Sequence, residues 1–120
     1  MMKAGFGGDE APKVYFPSVV GYSRYETIHG SDEKVCHIGE EAISKKGVLK
    51  LSYPLENGIV KNWEDMEQIW SYTFIDQLKA NPEHHPVMLT EAALNPKDNR
   101  EKMISIFFDE HKVPAFYVAT

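Results

Sequence analysis

The sequence has 120 residues, 42% of them hydrophobic and 26% charged, enough for one domain with a buried core and too few for a second of ordinary size. A formal net charge of -5 removes the electrostatic drive towards nucleic acid, and the single cysteine, Cys36, excludes an internal disulfide framework or a thiolate zinc site within the chain. No apolar run is long enough to span a membrane and no apolar signal segment opens the sequence, so a cytoplasmic setting without membrane insertion is expected.

Residues 1–9 read MMKAGFGGD, with Gly5, Gly7 and Gly8 close together. Such glycines permit a tight turn or a close approach of backbone to a ligand. They lack the G-x-G-x-x-G spacing and a preceding strand, so a turn is the plainer reading and a ligand edge the second. Lys3 beside them is the candidate phosphate contact, because a lysine neutralises phosphate charge where small residues let backbone donors approach. Asp9 and Glu10 follow as a solvated acidic pair or a contact for basic partner residues.

KVYFPSVVGYS, residues 13–23, is rich in β-branched and aromatic side chains and is interrupted at Pro17, which predicts two short strands or one bent edge strand. Residues 24–39, RYETIHGSDEKVCHIG, form a polar excursion read as a hairpin loop. His29, His37, Cys36 and Asp32 carry metal-capable atoms there, but their spacing gives no convergence, so no metal site is assigned. Glu40 to Lys46 can make one or two helical turns, with Lys45 and Lys46 suited to the helix end and Gly47 to stopping it. Val48, Leu49, Leu51 and Tyr53 then have strand character, and Pro54 and Asn57-Gly58 mark turns, the latter able to close a tight hairpin.

Asn62 is the expected N-cap of the first long helix, with Glu64 and Asp65 favouring its positive end. Met66, Ile69, Trp70, Phe74 and Leu78 recur on one face, Tyr72 and Ile75 broaden it, and Asn81-Pro82 is the expected stop. His84-His85 before Pro86 is more easily read as the start of a strand than as a metal pair, because adjacent side chains diverge in extended backbone. Val87, Met88 and Leu89 are apolar enough to be buried from both sides. Asn95 as cap, Pro96 at the first helical position and Asp98 then open a second helix with Met103, Ile106, Phe107 and Glu110 on successive turns. PAFYVAT closes residues 87–119 as a strand, helix, strand unit, so the fold class is α/β with a right-handed parallel crossover expected.

Glu91, at the end of a strand, stands where α/β proteins often keep a general base. No paired carboxylate, histidine or nucleophile accompanies it at a motif spacing, and a turn hydrogen-bonded by its oxygens is the preferred reading. Glu83 offers the same choice as Asp9 and Glu10 between solvated surface and partner contact. Tyr22, Tyr25 and Tyr53 read as core or interface aromatics.

Four long stretches, KAGFGGDEAPKVYFPSVVG, GEEAISKKGVLKLSYPLENGIVKNWEDMEQIW, HPVMLTEAALNPKDNREKM and PAFYVAT, closely resemble the amino-terminal part of eukaryotic-type actin, and together they cover nearly the whole sequence. The resemblance implies a partial actin-like ATPase fold, with approximately residues 18–53 as a small polar, mobile lobe. It implies ATP or ADP with Mg²⁺ or Ca²⁺ in the cleft of a complete parent protein, slow hydrolysis there, and a cytoplasmic, cytoskeletal location. The implied partners are other actin subunits and actin-binding proteins. By residue, it makes Lys3 the phosphate-contacting lysine, Asp9 and Glu10 acidic contacts for motor proteins, Glu83 part of another acidic contact patch, and the stretch holding Tyr25, His29 and Gly30 the loop that inserts into the next filament subunit. The sequence departs from the family with a shorter, more polar loop, His84 in place of a carboxylate, Asn57 in place of a histidine and Ala93 in place of a proline. The two phosphate loops and the water-positioning glutamine of the family are absent from these 120 residues, so the parent is expected to be an ATPase and this chain alone inactive. The alternatives are a non-catalytic actin-derived interaction module and an incomplete gene product.

Overall fold

The computed structural model describes residues 1–23 and 36–119. Strands β1 (Met2–Ala4) and β2 (Val14–Phe16) pair antiparallel with Lys3 opposite Tyr15. The period-two alternation buries Val14 and Phe16 and leaves Tyr15 at the surface. Pro17 separates β2 from β3 (Val20–Ser23), so the first of the two predicted arrangements is the one adopted. β3 is the centre of an antiparallel sheet, with β4 (Cys36–Ile38) on one side and β5 (Leu49–Ser52) on the other. Gly21 in β3 lets its neighbours pack closely, since a Cβ would lie 2.9 Å from Leu49 Cδ1 and 3.2 Å from Ala42 Cβ. Ala42 belongs to α1 (Glu40–Ser44), which packs on this sheet. Gly47 does not stop that helix: the Lys45 N–H bonds back to the Glu41 carbonyl and the Lys46 N–H to that of Ile43, and Gly47 falls in the turn beyond.

The hairpin of β6 (Leu55–Glu56) and β7 (Ile59–Val60) turns through Asn57 at φ 53° and Gly58 at φ 78°. Two successive positive φ values are what a tight hairpin needs to match the twist of its strands. Helix α2 (Trp63–Tyr72) begins as predicted, Asn62 Oδ1 accepting from the Asp65 N–H at 3.1 Å. It continues into a π-helical turn, Thr73–Gln77, where the Thr73 hydroxyl donates to the Ile69 carbonyl. The chain leaves this helix at Lys79, which takes a left-handed φ of 52°. The Asn81-Pro82 stop is therefore placed too late, and Asn81 instead accepts from Glu83 N–H to start a 3-10 turn, Pro82–His84. Ile75 also departs from expectation, being 59% exposed on the outer side of the π-helical turn.

β8 (Val87–Thr90) and β9 (Phe116–Ala119) pair in parallel, and α3 (Lys97–Ser105) with its own π-helical turn, Ile106–Glu110, lies between them in the chain. Burial of β8 from both sides is corrected: Val87 and Leu89 are half-buried while Met88 is 69% exposed, because the core covers one face of this two-stranded sheet. The expected cap of α3 is corrected as well. Pro96 occupies the cap position and the Asn95 amide turns to Glu91 instead. Phe107 centres the core, stacked on Phe116 at 4.5 Å and edge-on to Trp70 at 4.9 Å. Val14 and Phe16 from the β1–β2 sheet and Ile38 from the three-stranded sheet join the same core, which ties the small strands to both helices.

Candidate functional site

β1 and β8 belong to separate sheets, and residues of both line one groove of about 560 Å³. Lys3 reaches it from β1 and Glu91 from the end of β8, while Trp63, Met66 and Trp70 contribute from α2 and Asn99 from α3. Lys3 is exposed and is the one lysine or arginine among the described lining residues. The indole N–H of Trp70 is buried and meets no acceptor among the described residues.

Glu91 lines this groove but its hydrogen-bonding capacity is already engaged. Its Oε2 accepts from Asn95 Nδ2 at 2.8 Å and from Arg100 Nε at 3.1 Å, its Oε1 accepts from Arg100 Nη2, and its backbone N–H donates to the Ala119 carbonyl at 2.8 Å. Hydrogen bonds from Arg100, then Asn95, hold the carboxyl below its ordinary range. A base must offer a free lone pair to a proton, and this carboxylate is fixed as an acceptor for α3. The preference for a hydrogen-bonded turn over a base agrees with these contacts.

The acidic candidates lie on two surface segments that the sequence alone does not join. Asp9 and Glu10 are exposed beyond the glycine turn, and Glu83 is exposed on the 3-10 turn. The rings of Phe6 and His85 meet edge to face at 6.1 Å and bring those segments side by side. Lys13 Nζ lies 5.3 Å from the Phe6 ring centroid, a cation beside the same contact. Tyr25, His29 and Gly30 fall outside the described residues, as does Asp32.

Asp65 is the residue whose place sequence reasoning missed. Read as a first-turn carboxylate that complements the helix dipole, it is in fact 4% exposed and accepts hydrogen bonds from the Tyr22 hydroxyl and, at 2.6 Å, from Ser52 Oγ. Hydroxyl residues in neighbouring strands were the only available signal, and their convergence depends on a sheet register that only the folded chain defines.

A family model described as actin matches residues 1–120. The chain belongs to the actin family. That membership agrees with the α/β architecture above and supports a cytoskeletal, ATP-binding role in general. It also implies an adenine nucleotide with a divalent cation, and the described groove offers one cationic side chain towards such a group. Lys3 supplies a cation to the groove, but Glu91 is committed to Arg100, and among the described residues no group of three or more histidine, cysteine, aspartate or glutamate side chains could hold a metal ion. These residues do not by themselves make a nucleotide–metal site, so no hydrolytic step is assigned to them. Among the described residues, no helix is long and apolar enough to cross a membrane.

Proposed function

We propose that the chain is a segment of an actin-type cytoskeletal filament subunit, whose parent binds ATP or ADP with Mg²⁺ or Ca²⁺ and slowly hydrolyses ATP, and that the segment serves mainly in protein contact. The observation that carries this reading is the family match over residues 1–120. Lys3 is the residue proposed to touch phosphate, from the β1 side of the groove. Asp9, Glu10 and Glu83 are proposed as one acidic contact face for basic surfaces of actin-binding proteins, a reading supported by the Phe6–His85 contact that joins their segments. Tyr25, His29 and Gly30 are proposed to contact the neighbouring filament subunit, as part of a small lobe of approximately residues 18–53.

Co-sedimentation with preformed actin filaments tests the contact function. The protein is expected in the pellet with filaments and in the supernatant without them, and a triple Asp9→Ala, Glu10→Ala, Glu83→Ala variant keeps filament association while losing binding to a basic motor fragment. Absence from the pellet at saturating filament concentration sinks the reading. A second reading, a non-catalytic interaction module, is favoured by the lack of a metal-holding group among the described residues. Phosphate release from Mg²⁺–ATP by the isolated chain is expected under neither reading, and measurable release would overturn the assignment of hydrolysis to the parent alone.

A further inference from the structure

Every strand of the β4–β3–β5 sheet contributes a residue to one small polar cluster. Tyr22 comes from β3, Ser52 from β5 and Cys36 from β4, where Tyr22 and Cys36 are register partners. Tyr22 donates to Asp65 Oδ1 and Ser52 to Oδ2, so both carboxylate oxygens of one buried side chain face the sheet. Cys36 stands opposite Tyr22 across the β3–β4 pair, at the edge of the same cluster. Both of these donors to the carboxylate are neutral hydroxyls. Burial, followed by the hydrogen bond to Asp65, pushes the Tyr22 phenol above its ordinary range, so the hydroxyl remains a donor.

Asp65 stands in the first turn of α2, between Trp63 and Met66, and both of those neighbours line the groove. A helical turn is a stiff unit, because its backbone hydrogen bonds fix the relative positions of residues on it. We propose that Asp65 is a latch that couples the position of the three-stranded sheet to the lining of the groove: the sheet cannot shift on α2 without breaking the hydroxyl bonds to Asp65 or rotating the turn that carries Trp63 and Met66. A carboxylate only 4% exposed that loses a donor is left under-satisfied, so intermediate positions are costly and the joint has two states, engaged and released.

The test combines hydrogen exchange by mass spectrometry with fluorescence of Trp63 and Trp70, which are the only tryptophans and both line the groove. Tyr22→Phe and Ser52→Ala each remove one hydroxyl and leave the carboxylate in place; Asp65→Asn removes the charge. In Tyr22→Phe and in Ser52→Ala, amides of β4 and β5 are expected to exchange about tenfold faster, the effect of losing one charge-assisted hydrogen bond. Amides of β8 and β9 are expected to stay within about twofold of the parent protein. Acrylamide quenching of tryptophan emission is expected to rise in the same variants, and Ser52→Thr, which restores a hydroxyl, returns both readings to the parent values. Equal acceleration in β8 and β9 would mean general destabilisation and overturn the latch. Unchanged exchange in β4 and β5 would do the same, and faster sheet exchange with unaltered tryptophan quenching would overturn the coupling to the groove. Should Asp65→Asn fail to fold, the two hydroxyl variants decide the matter.

Discussion

Arg100 grips Glu91 with two hydrogen bonds, Nη2 to Oε1 and Nε to Oε2, and so fastens α3 to the end of β8. The fork geometry of a guanidinium matches both oxygens of a carboxylate, which makes arginine and lysine non-equivalent here. Arg100→Lys is therefore expected to lower the melting temperature, and Arg100→Ala to lower it further. The pH dependence has a defined sign. Arg100 holds the folded-state carboxyl of Glu91 below its ordinary range, so its stabilisation is fully present above that range and is lost as pH falls through the lowered folded value. Melting curves from neutral pH downward should show the parent and Arg100→Ala converging at the acidic end; a constant difference would refute the assignment.

Phe107 is fully buried and meets Trp70, Phe74 and Phe116. Truncation to alanine removes the ring that joins both helices to the parallel sheet and leaves a cavity that those neighbours can only partly fill. Urea unfolding of Phe107→Ala should report a loss of about 3–5 kcal/mol. A loss below about 1 kcal/mol would show that the core collapses around the gap.

Gly58 and Gly47 should respond in opposite directions to alanine. Gly58 has φ 78°, and a Cβ there would lie 3.1 Å from Ala92 Cβ, so Gly58→Ala is expected to cost about 1–3 kcal/mol. Gly47 has nothing within 4 Å of a built Cβ and no left-handed φ. Gly47→Ala should be neutral or stabilise by up to about 1 kcal/mol, since it restricts the unfolded chain. Chemical denaturation of both variants checks the contrast.

His111 gives the fold a second, separate sensitivity to acid. Its ring lies 5.1 Å from that of Phe107 and 5.9 Å from that of Phe74, and Nε2 is buried without a hydrogen-bond partner among the described residues. Burial lowers its pKa, opposed in part by Glu110. The folded state thus binds the proton less readily than the unfolded state. Its stability contribution is complete above the ordinary histidine range and declines as pH falls through that range towards the lowered folded value. His111→Phe should flatten the stability profile in the histidine range and leave the carboxylate range unchanged. A profile that keeps its slope there would assign the sensitivity to another group.

Local physics was readable wherever neighbours in sequence were enough. Asn62 caps α2 because its side chain needs only the N–H three residues on, and Asn57-Gly58 turns a hairpin because two adjacent residues take positive φ. Met103, Ile106 and Phe107 lie on the core face because helical periodicity places them there. The long ordered matches to actin reside in the letters themselves, and they identified the family. What failed depended on alternatives that compete at the same place. Asn95 could cap α3 or bond to Glu91, and Arg100, nine positions later, supplies the neighbour that makes the second arrangement hold.

The sequence by itself determined the α/β class, the approximate places of the helices and the Asn57-Gly58 turn, and the candidates Lys3, Asp9, Glu10 and Glu83, since each follows from local chemistry or from family resemblance. Only the tertiary structure decided that Glu91 is a fixture, that Phe6 and His85 join two acidic segments, and that Tyr22, Ser52 and Asp65 form one joint. The reason is physical: strand register and helix packing bring together groups far apart in the chain, 43 positions in the case of Tyr22 and Asp65, and no propensity or spacing along the chain encodes which of them will meet.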